Sequence, residues 1–518
     1  LSTELSPTAE TSRESATGLD AWKKGELPPP PNTAGLRLFG VLGPGAILLG
    51  ASIGSGEWLL GPATFVKYGM ALLWVTAIAA ASQTILNMEF VRYTLYTGEP
   101  AFTAFMRTKP GSSFWAIVYS TLFFLQTGWP GWAGAAAGAI YFLAAGRLAT
   151  SADAGVIYRI GAATFLVCVV ILVFSGKRIE RTLEIINWIM IAAILGGLTV
   201  LCLIFAGKGG WLGAAVGFFG YDLKNGGFNF IPRGADWFLI GAFAAYSGSG
   251  GVINITLANW ARDKGFGMGQ VVGYIPAAVG GQKVNLAHSG TVFEITADAM
   301  KRWAGWWRII KFDQWGVFFI GALLGMALPG ILYTSLIEPG VEIRGLAMAA
   351  QLSTRVSQQS ALLALVVAMM GVWVLFKTQL DVLEGTVRAI TDILWSGSKR
   401  VRAWRGGDVR IVYYSLLGVI VVWGVIALGL SQPDILLQLG ANVAGAVCAI
   451  SAIHILRVNT TLLPKEIRPP MWRRVGLVLT AVFYSFFVYF WLMGGIVPDT
   501  QSGSLFKAIR YLLRAFGS

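Results

Sequence analysis

Long apolar runs separated by short polar stretches make up most of this chain, and their lengths match helices that cross a bilayer rather than strands or half-buried helices of a soluble domain. The runs place eleven spans at about 41–65, 70–91, 114–145, 155–175, 183–206, 236–261, 315–336, 359–380, 410–431, 434–457 and 472–495, the eighth continuing as helix toward Trp395. Two of them are interrupted. Span 1 contains Gly50-Ala-Ser-Ile-Gly-Ser-Gly-Glu57, and span 6 contains Ser247-Gly-Ser-Gly-Gly251. A continuous transmembrane helix has no use for such glycines, because each costs helix stability and frees backbone groups that lipid cannot satisfy. Paired breaks in the two halves of a membrane protein point to a cavity at mid-membrane depth in a secondary transporter.

Composition agrees with this pattern: 55% of the residues are hydrophobic and 13% charged, the signature of an all-α integral membrane protein. The net charge of +14 raises nucleic acid as a partner. The Lys and Arg residues, however, gather in the loops after spans 2, 4, 6, 8 and 10, while the loops after spans 1, 3, 5, 7 and 9 are poor in net positive charge. That alternation is the positive-inside pattern, so the charge orients the chain in a lipid bilayer and nucleic-acid binding is not expected. It puts the N-terminus in the cytoplasm and the C-terminus outside, in a plasma membrane or bacterial inner membrane.

The domain reading follows. Residues 1–35, polar and ending near Pro28-Pro29-Pro30-Pro31, are expected to be a disordered cytoplasmic tail, with no cleaved leader. Residues 36–460 form a ten-span transporter core, 461–498 an eleventh span, and 499–518 a basic amphipathic helix on the outer surface. Between spans 6 and 7, interleaved Trp and basic residues from Lys301 to Lys311 are expected along the lipid headgroups. With breaks in spans 1 and 6, the core divides into two five-span units of opposite topology, an inverted repeat.

Candidate chemistry is sparse. Cys168, Cys202 and Cys448 each lie inside an apolar span and read as small buried hydrophobes, and His288 and His454 have no metal-ligand partner at close spacing. Neither a nucleophile–base pair nor a phosphate loop stands out, so no enzymatic activity and no cofactor is expected. Glu57 is the exception, since a carboxylate inside a membrane span is costly unless it meets water, a cation or a partner. It is either a cation ligand or a structural anion held by neighbouring backbone or by a basic residue. The candidate site gathers the span 1 residues Ala51, Gly54, Ser55, Gly56 and Glu57 with the span 6 residues Ala245, Gly248, Ser249 and Gly250. Tyr246, Asn254, Gln379 and Asp381 are candidates for gating or coupling, against the plainer alternatives of ordinary packing, interhelical hydrogen bonds and a salt bridge along one face through Asp381, Glu384 and Arg388.

Gly43-Pro44-Gly45, Ala51-Ser-Ile-Gly-Ser-Gly-Glu57, Gly69-Met-Ala-Leu-Leu-Trp74, Thr97-Gly98 and Arg181-Thr-Leu-Glu184 resemble the corresponding motifs of Nramp-type divalent-metal transporters, within the superfamily that shares the leucine-transporter fold. The resemblance implies that fold, with its five-plus-five inverted repeat, and transport of a small inorganic cation. It also marks a departure. The family's metal-binding Asp falls on Gly54, its Pro on Ser55 and its Asn on Glu57, while its Met-Pro-His falls on Gly248-Ser249-Gly250. No sulfur ligand remains, and neither do the carboxylates and histidines that accompany proton movement in the family. Oxygen ligands suit hard cations such as Mg²⁺ or Ca²⁺. The expected function is a divalent-cation transporter with weak or no proton coupling. The alternatives are an amino-acid or small organic-solute symporter, because Ile53-Gly-Ser-Gly56 also resembles the first helix of amino-acid permeases, and a non-transporting membrane sensor or structural subunit.

Overall fold

The computed structural model describes residues 17–33, 35, 42–174, 179–272, 289–404 and 408–493, and for 179–187 the backbone alone. Among these residues, eight helices are long and apolar enough to cross a membrane, so the chain is a multi-pass helical membrane protein. The other three expected spans, 1, 3 and 6, are each built from two shorter helices.

Span 1 consists of α1 (Pro44–Ser52), a π-helical segment Gly56–Leu60 and α2 (Gly61–Tyr68). Span 2 is α3 (Leu73–Thr97), which ends where Gly98 takes the left-handed conformation at φ 70°. A short α4 (Ala101–Met106) leads to span 3, expected as one helix but interrupted at Gly128-Trp129-Pro130 between α5 (Ser112–Thr127) and α6 (Gly131–Ala145). Proline is the reason: it has no N–H to continue the ladder and sits as the N-cap of α6. Spans 4 and 5 are α7 (Ala154–Phe174) and α8 (Ile179–Phe205), followed by α9 (Lys208–Gly217) and a two-stranded hairpin of β2 (Tyr221–Asp222) and β3 (Gly227–Phe228).

Span 6 is α10 (Trp237–Ala245) and α11 (Gly251–Asp263). The chain then reaches β4 (Thr291–Phe293), α12 (Ala297–Lys311), a second π segment Phe312–Phe319 and α13 (Ile320–Leu336), the last three forming one 40-residue apolar helix that contains span 7. Span 8 is α14 (Ala361–Gly397), whose 37 residues confirm the extension toward Trp395. Spans 9 to 11 are α15 (Val409–Leu430), α16 (Pro433–Thr461) and α17 (Met471–Met493). The proposed amphipathic helix at 499–518 lies outside the described residues.

Two groups of helices pack around the breaks. Span 1, α3, α11 and α13 rest on one another, whereas α5 and α6 pack on α14 and α16. Small residues bring the second group together: Gly134, on the same face as Gly138, meets Pro433 at the start of α16. Exposed Val, Leu and Ile side chains on α7, α8, α15 and α17 form the lipid-facing belt.

Two expectations for the loops are corrected. Residues 17–33, expected as disordered tail, are ordered: β1 (Lys23–Gly25) pairs in parallel with β4, and Leu19 and Leu27 are buried. The tail is polar overall, yet its few apolar residues find a groove that no local pattern reveals. In α12, Trp303 and Trp306 turn inward, and Trp307 is packed between the guanidinium groups of Arg92 and Arg473, 4.2 and 4.8 Å from its ring centre, rather than lying along the headgroups. Arg92 and Arg473 both bond Glu89, which binds this edge together.

Candidate functional site

The two breaks face each other. In span 1 the helix stops at Ser52, turns through Ile53 and Gly54, and resumes as the π segment carrying Glu57. The close approach of span 6 dictates a glycine at 56, since a Cβ there would stand 2.0 Å from the carbonyl oxygen of Tyr246. In span 6 the chain leaves helix at Tyr246 and re-enters at Gly251, with Gly248, Gly250 and Gly251 at φ 128°, 74° and 53°. Only glycine adopts such angles freely. The Ser52 and Ser249 hydroxyls join the breaks at 2.6 Å, with the Leu48 carbonyl in reach of both at 2.8 and 3.2 Å, so that one hydroxyl donates to the other, which donates to that carbonyl.

Between them lies a cavity of about 20 Å³, room for one water or one bare small cation. Ala51, Ser52, Ser55, Gly56, Tyr246, Gly248 and Ser249 line it, with Trp132, Ile253 and Val382 closing the sides. Trp132 donates its indole N–H to the Ser55 hydroxyl at 3.0 Å. The structure thus brings together Ala51, Ser55, Gly56, Tyr246, Gly248 and Ser249 of the residues predicted from sequence.

Glu57 is placed differently. Its carboxylate is outside the cavity lining; Oε2 accepts the Gly54 N–H at 3.3 Å, while Oε1 is buried with no hydrogen-bond partner. Its side chain lies against Gly325 of α13. Gly54 packs against Thr378 of α14, whose hydroxyl also reaches the Ile53 carbonyl at 3.4 Å.

The free backbone groups of the span 6 break are met by side chains that sequence reasoning missed. Gln83 of α3 donates to the Ala245 carbonyl at 3.1 Å and accepts from the Gly250 N–H at 3.1 Å. Gln126 of α5 donates to the Gly250 carbonyl at 3.0 Å and accepts from the Val252 N–H at 2.8 Å. The Gly251 N–H points to the Cys448 sulfur at 3.0 Å. A glutamine in an apolar span was the available signal, since a buried amide must find partners for both its ends. Asn254 belongs to the same network, donating to Gln83 and Asn87 at 3.2 and 2.8 Å. Tyr246 is tilted against Trp132 with ring centres 6.2 Å apart.

The span 8 candidates separate. Gln379 accepts the Ala133 N–H of α6 at 3.2 Å, holding two spans together. Asp381 pairs with Lys377 one turn earlier, a partner absent from the sequence reading, and its Oδ1 has no hydrogen bond. The expected face-long bridge is therefore divided: Glu384 pairs with Arg388 at 2.5 Å, and Arg388 continues to Asp263 at 3.2 Å. His454 lies away from the breaks, between the hydroxyls of Thr108 and Tyr119 at 2.8 and 2.9 Å. Among the described residues no three His, Cys, Asp or Glu side chains gather as a metal site, so a cation between the breaks would rely on hydroxyls and carbonyls, joined by at most one carboxylate.

The described helices thus form a membrane bundle in which the interrupted spans 1 and 6 meet over a small cavity. Solved structures share this fold. A histidine-to-alanine variant of the Eremococcus coleocola manganese transporter matches with a TM-score of 0.63 and 14% identity over 96% of each chain, and a glutamate-to-glutamine variant gives the same figures. The same transporter in complex with an aromatic bis-isothiourea substituted compound matches with a TM-score of 0.59 and 14% identity, over 94% of this chain and 95% of that one. These values bear out the resemblance to a divergent Nramp-type transporter as a likeness of fold. No protein-family model matches the chain, and no curated protein matches it by sequence.

Proposed function

We propose that this chain is a secondary transporter that moves a divalent cation by alternating access, with the cavity between the two breaks as its binding place. The observation that carries the reading is the meeting of the breaks, where the Ser52 and Ser249 hydroxyls touch beside the Ser55 hydroxyl at a small cavity of about 20 Å³. Around it, spans 1 to 5 and 6 to 10 form two units of opposite topology, and span 11 stands outside them. The N-terminus is cytoplasmic on the positive-inside count.

Hydroxyl and carbonyl oxygens favour a hard cation such as magnesium. Glu57 is the only acidic residue in either break, and its unpartnered Oε1 is a buried acceptor that gains most from a cation. The Ala245 carbonyl is held by Gln83, and the two serines bond each other, so a cation enters by exchanging these bonds for contacts to its own charge. With the family's relay residues absent from spans 3 and 6, proton coupling is weak or nil and the membrane potential drives entry.

The test is uptake of Mg²⁺, Mn²⁺ and Ca²⁺ into proteoliposomes at an imposed negative-inside potential, for the unmodified chain and Glu57→Gln. Cation uptake that the substitution abolishes supports the reading; no uptake of any of the three by folded protein overturns it. A second reading, a small neutral-solute symporter, is favoured by one observation: no charged side chain lines the cavity. Uptake of amino acids without cation uptake decides for it.

A further inference from the structure

The segment expected to be a loose tail is instead tied across one face of the helix bundle. Read in order, the Thr17 carbonyl accepts the Ser112 N–H at the start of α5 at 2.9 Å, and the Asp20 carbonyl accepts from Arg107 at 3.0 Å. Trp22 follows, with its indole N–H on Glu99 Oε2 at 3.2 Å and the Arg107 guanidinium over its ring at 4.9 Å. Tyr93 and Tyr96 of α3 flank the same ring, with centres 6.4 and 6.2 Å away. Next comes β1 on β4, and then the Leu27 and Pro28 carbonyls, which accept from Arg302 and Trp306 of α12 at 2.8 and 2.9 Å.

These anchors belong to both groups of helices. The end of α3 and the start of the long span 7 helix go with the broken spans, whereas α5 packs on α14 and α16. Glu99 is where they converge: it also takes the Tyr93 hydroxyl at 2.6 Å, the Gly290 N–H at 2.7 Å and the Arg107 side chain. On the alternating-access reading, a path from the cavity to this face opens when the two groups part, and the segment is anchored to both.

We propose that residues 17–28 are a latch that holds this face of the protein closed, with Trp22 seated at Glu99 as its catch. The consequence for transport rests on the alternating-access reading, while the latch itself concerns access to the cavity alone. Releasing it raises the population of the state open to the N-terminal face, because bonds present only in the closed state set that equilibrium.

The experiment uses the full-length chain with Val382→Cys as a reporter in the cavity lining, since Cys168, Cys202 and Cys448 are buried. A membrane-impermeant maleimide is applied from the N-terminal face without any cargo, and trypsin cleavage after the exposed Lys23 and Lys24 reports whether the segment has come free. Two variants loosen it: Trp22→Ala, and Gly25→Val, whose side chain would meet Thr291 at 2.7 Å. The expected result is faster tryptic cleavage together with reporter labelling raised by roughly tenfold, as follows from a shift of about 1.4 kcal/mol in a two-state equilibrium. Faster cleavage with unchanged labelling overturns the proposal. Unchanged cleavage in both variants also overturns it, because the anchors named here would not be what holds the segment. Raised labelling in a protein that takes up no cation leaves the latch standing and counts against the cargo reading alone.

Discussion

The two breaks look like twins in sequence, Gly54-Ser-Gly56 and Gly248-Ser-Gly250, yet the structure resolves them in opposite ways. In span 1 the backbone leaves helix at Ile53, with φ −64° and ψ 80°, and resumes through a π segment; the Gly54 N–H is answered by Glu57 of the same span, and the Ile53 carbonyl by the Thr378 hydroxyl of α14. In span 6 three glycines occupy left-handed space, and glutamines from spans 2 and 3 plus a cysteine from span 10 meet the freed groups. The first break therefore carries a carboxyl group and is met partly from within its own span. The second carries none and is held from outside. On the transport reading, span 1 supplies the ligand chemistry and span 6 supplies a movable backbone.

The sharpest way to break this comparison is Glu57→Gln, which should abolish cation uptake while leaving the melting temperature of the purified protein unchanged or higher, since a buried carboxylate with an unpartnered oxygen contributes little to stability. Uptake retained by that variant would remove the functional contrast between the breaks. Next in size, Gln83→Leu should destabilise the protein by about 1–3 kcal/mol, leaving the Ala245 carbonyl and the Gly250 N–H without this partner; denaturant or thermal unfolding in detergent reads the loss. Gly250→Ala should cost about 1–2 kcal/mol by forcing an alanine to φ 74°, measured the same way. Removing a hydroxyl from the span 1 break, by Ser55→Ala, should cost only about 0.5–1.5 kcal/mol, because its single described partner is the Trp132 indole.

The smallest effect concerns pH and the latch. Burial alone would raise the carboxyl of Glu99, but the Arg107 guanidinium and its hydrogen bonds outweigh that and hold it below the usual carboxylate range. A group whose pKa is depressed by folding stabilises the folded state above its unfolded pKa and loses that contribution as pH falls through the folded value. Release of the segment, read below neutrality by a protease active in acid, should therefore be flat through neutral pH and increase only below about pH 4.5, the ordinary value for Glu, and Glu99→Gln should remove the dependence. A release rate that changes near neutrality would mean that Glu99 is not the group responsible.

Much of the architecture is legible in the residues one by one. Span boundaries follow apolar length, and the helix of span 8 reaches Gly397 because polar residues such as Asp381, Glu384 and Arg388 keep helical spacing past the apolar run. Span 3 shows the limit: Pro130 is visible, but whether a proline kinks or splits a helix depends on what packs around it. At the site, the glycines and serines are legible because few other residues permit a break, whereas Gln83 and Gln126 are not, since their partners are backbone groups more than 120 positions away. Lys377 was passed over for a related reason. It stands four residues from Asp381, next to Thr378 and Gln379, and its burial depends on its neighbours.

By itself, then, the sequence determined that this is a helical membrane protein, where its spans run, and that spans 1 and 6 are broken at glycine–serine–glycine, because length, hydropathy and backbone freedom are properties of short stretches. The tertiary structure alone decided that Glu57 turns away from the cavity with one oxygen unpartnered, that the span 6 break is braced by glutamines, and that the polar N-terminal segment is strapped to the bundle. Each of those depends on groups from distant parts of the chain satisfying one another in a medium that offers no water, and no local pattern encodes such a meeting.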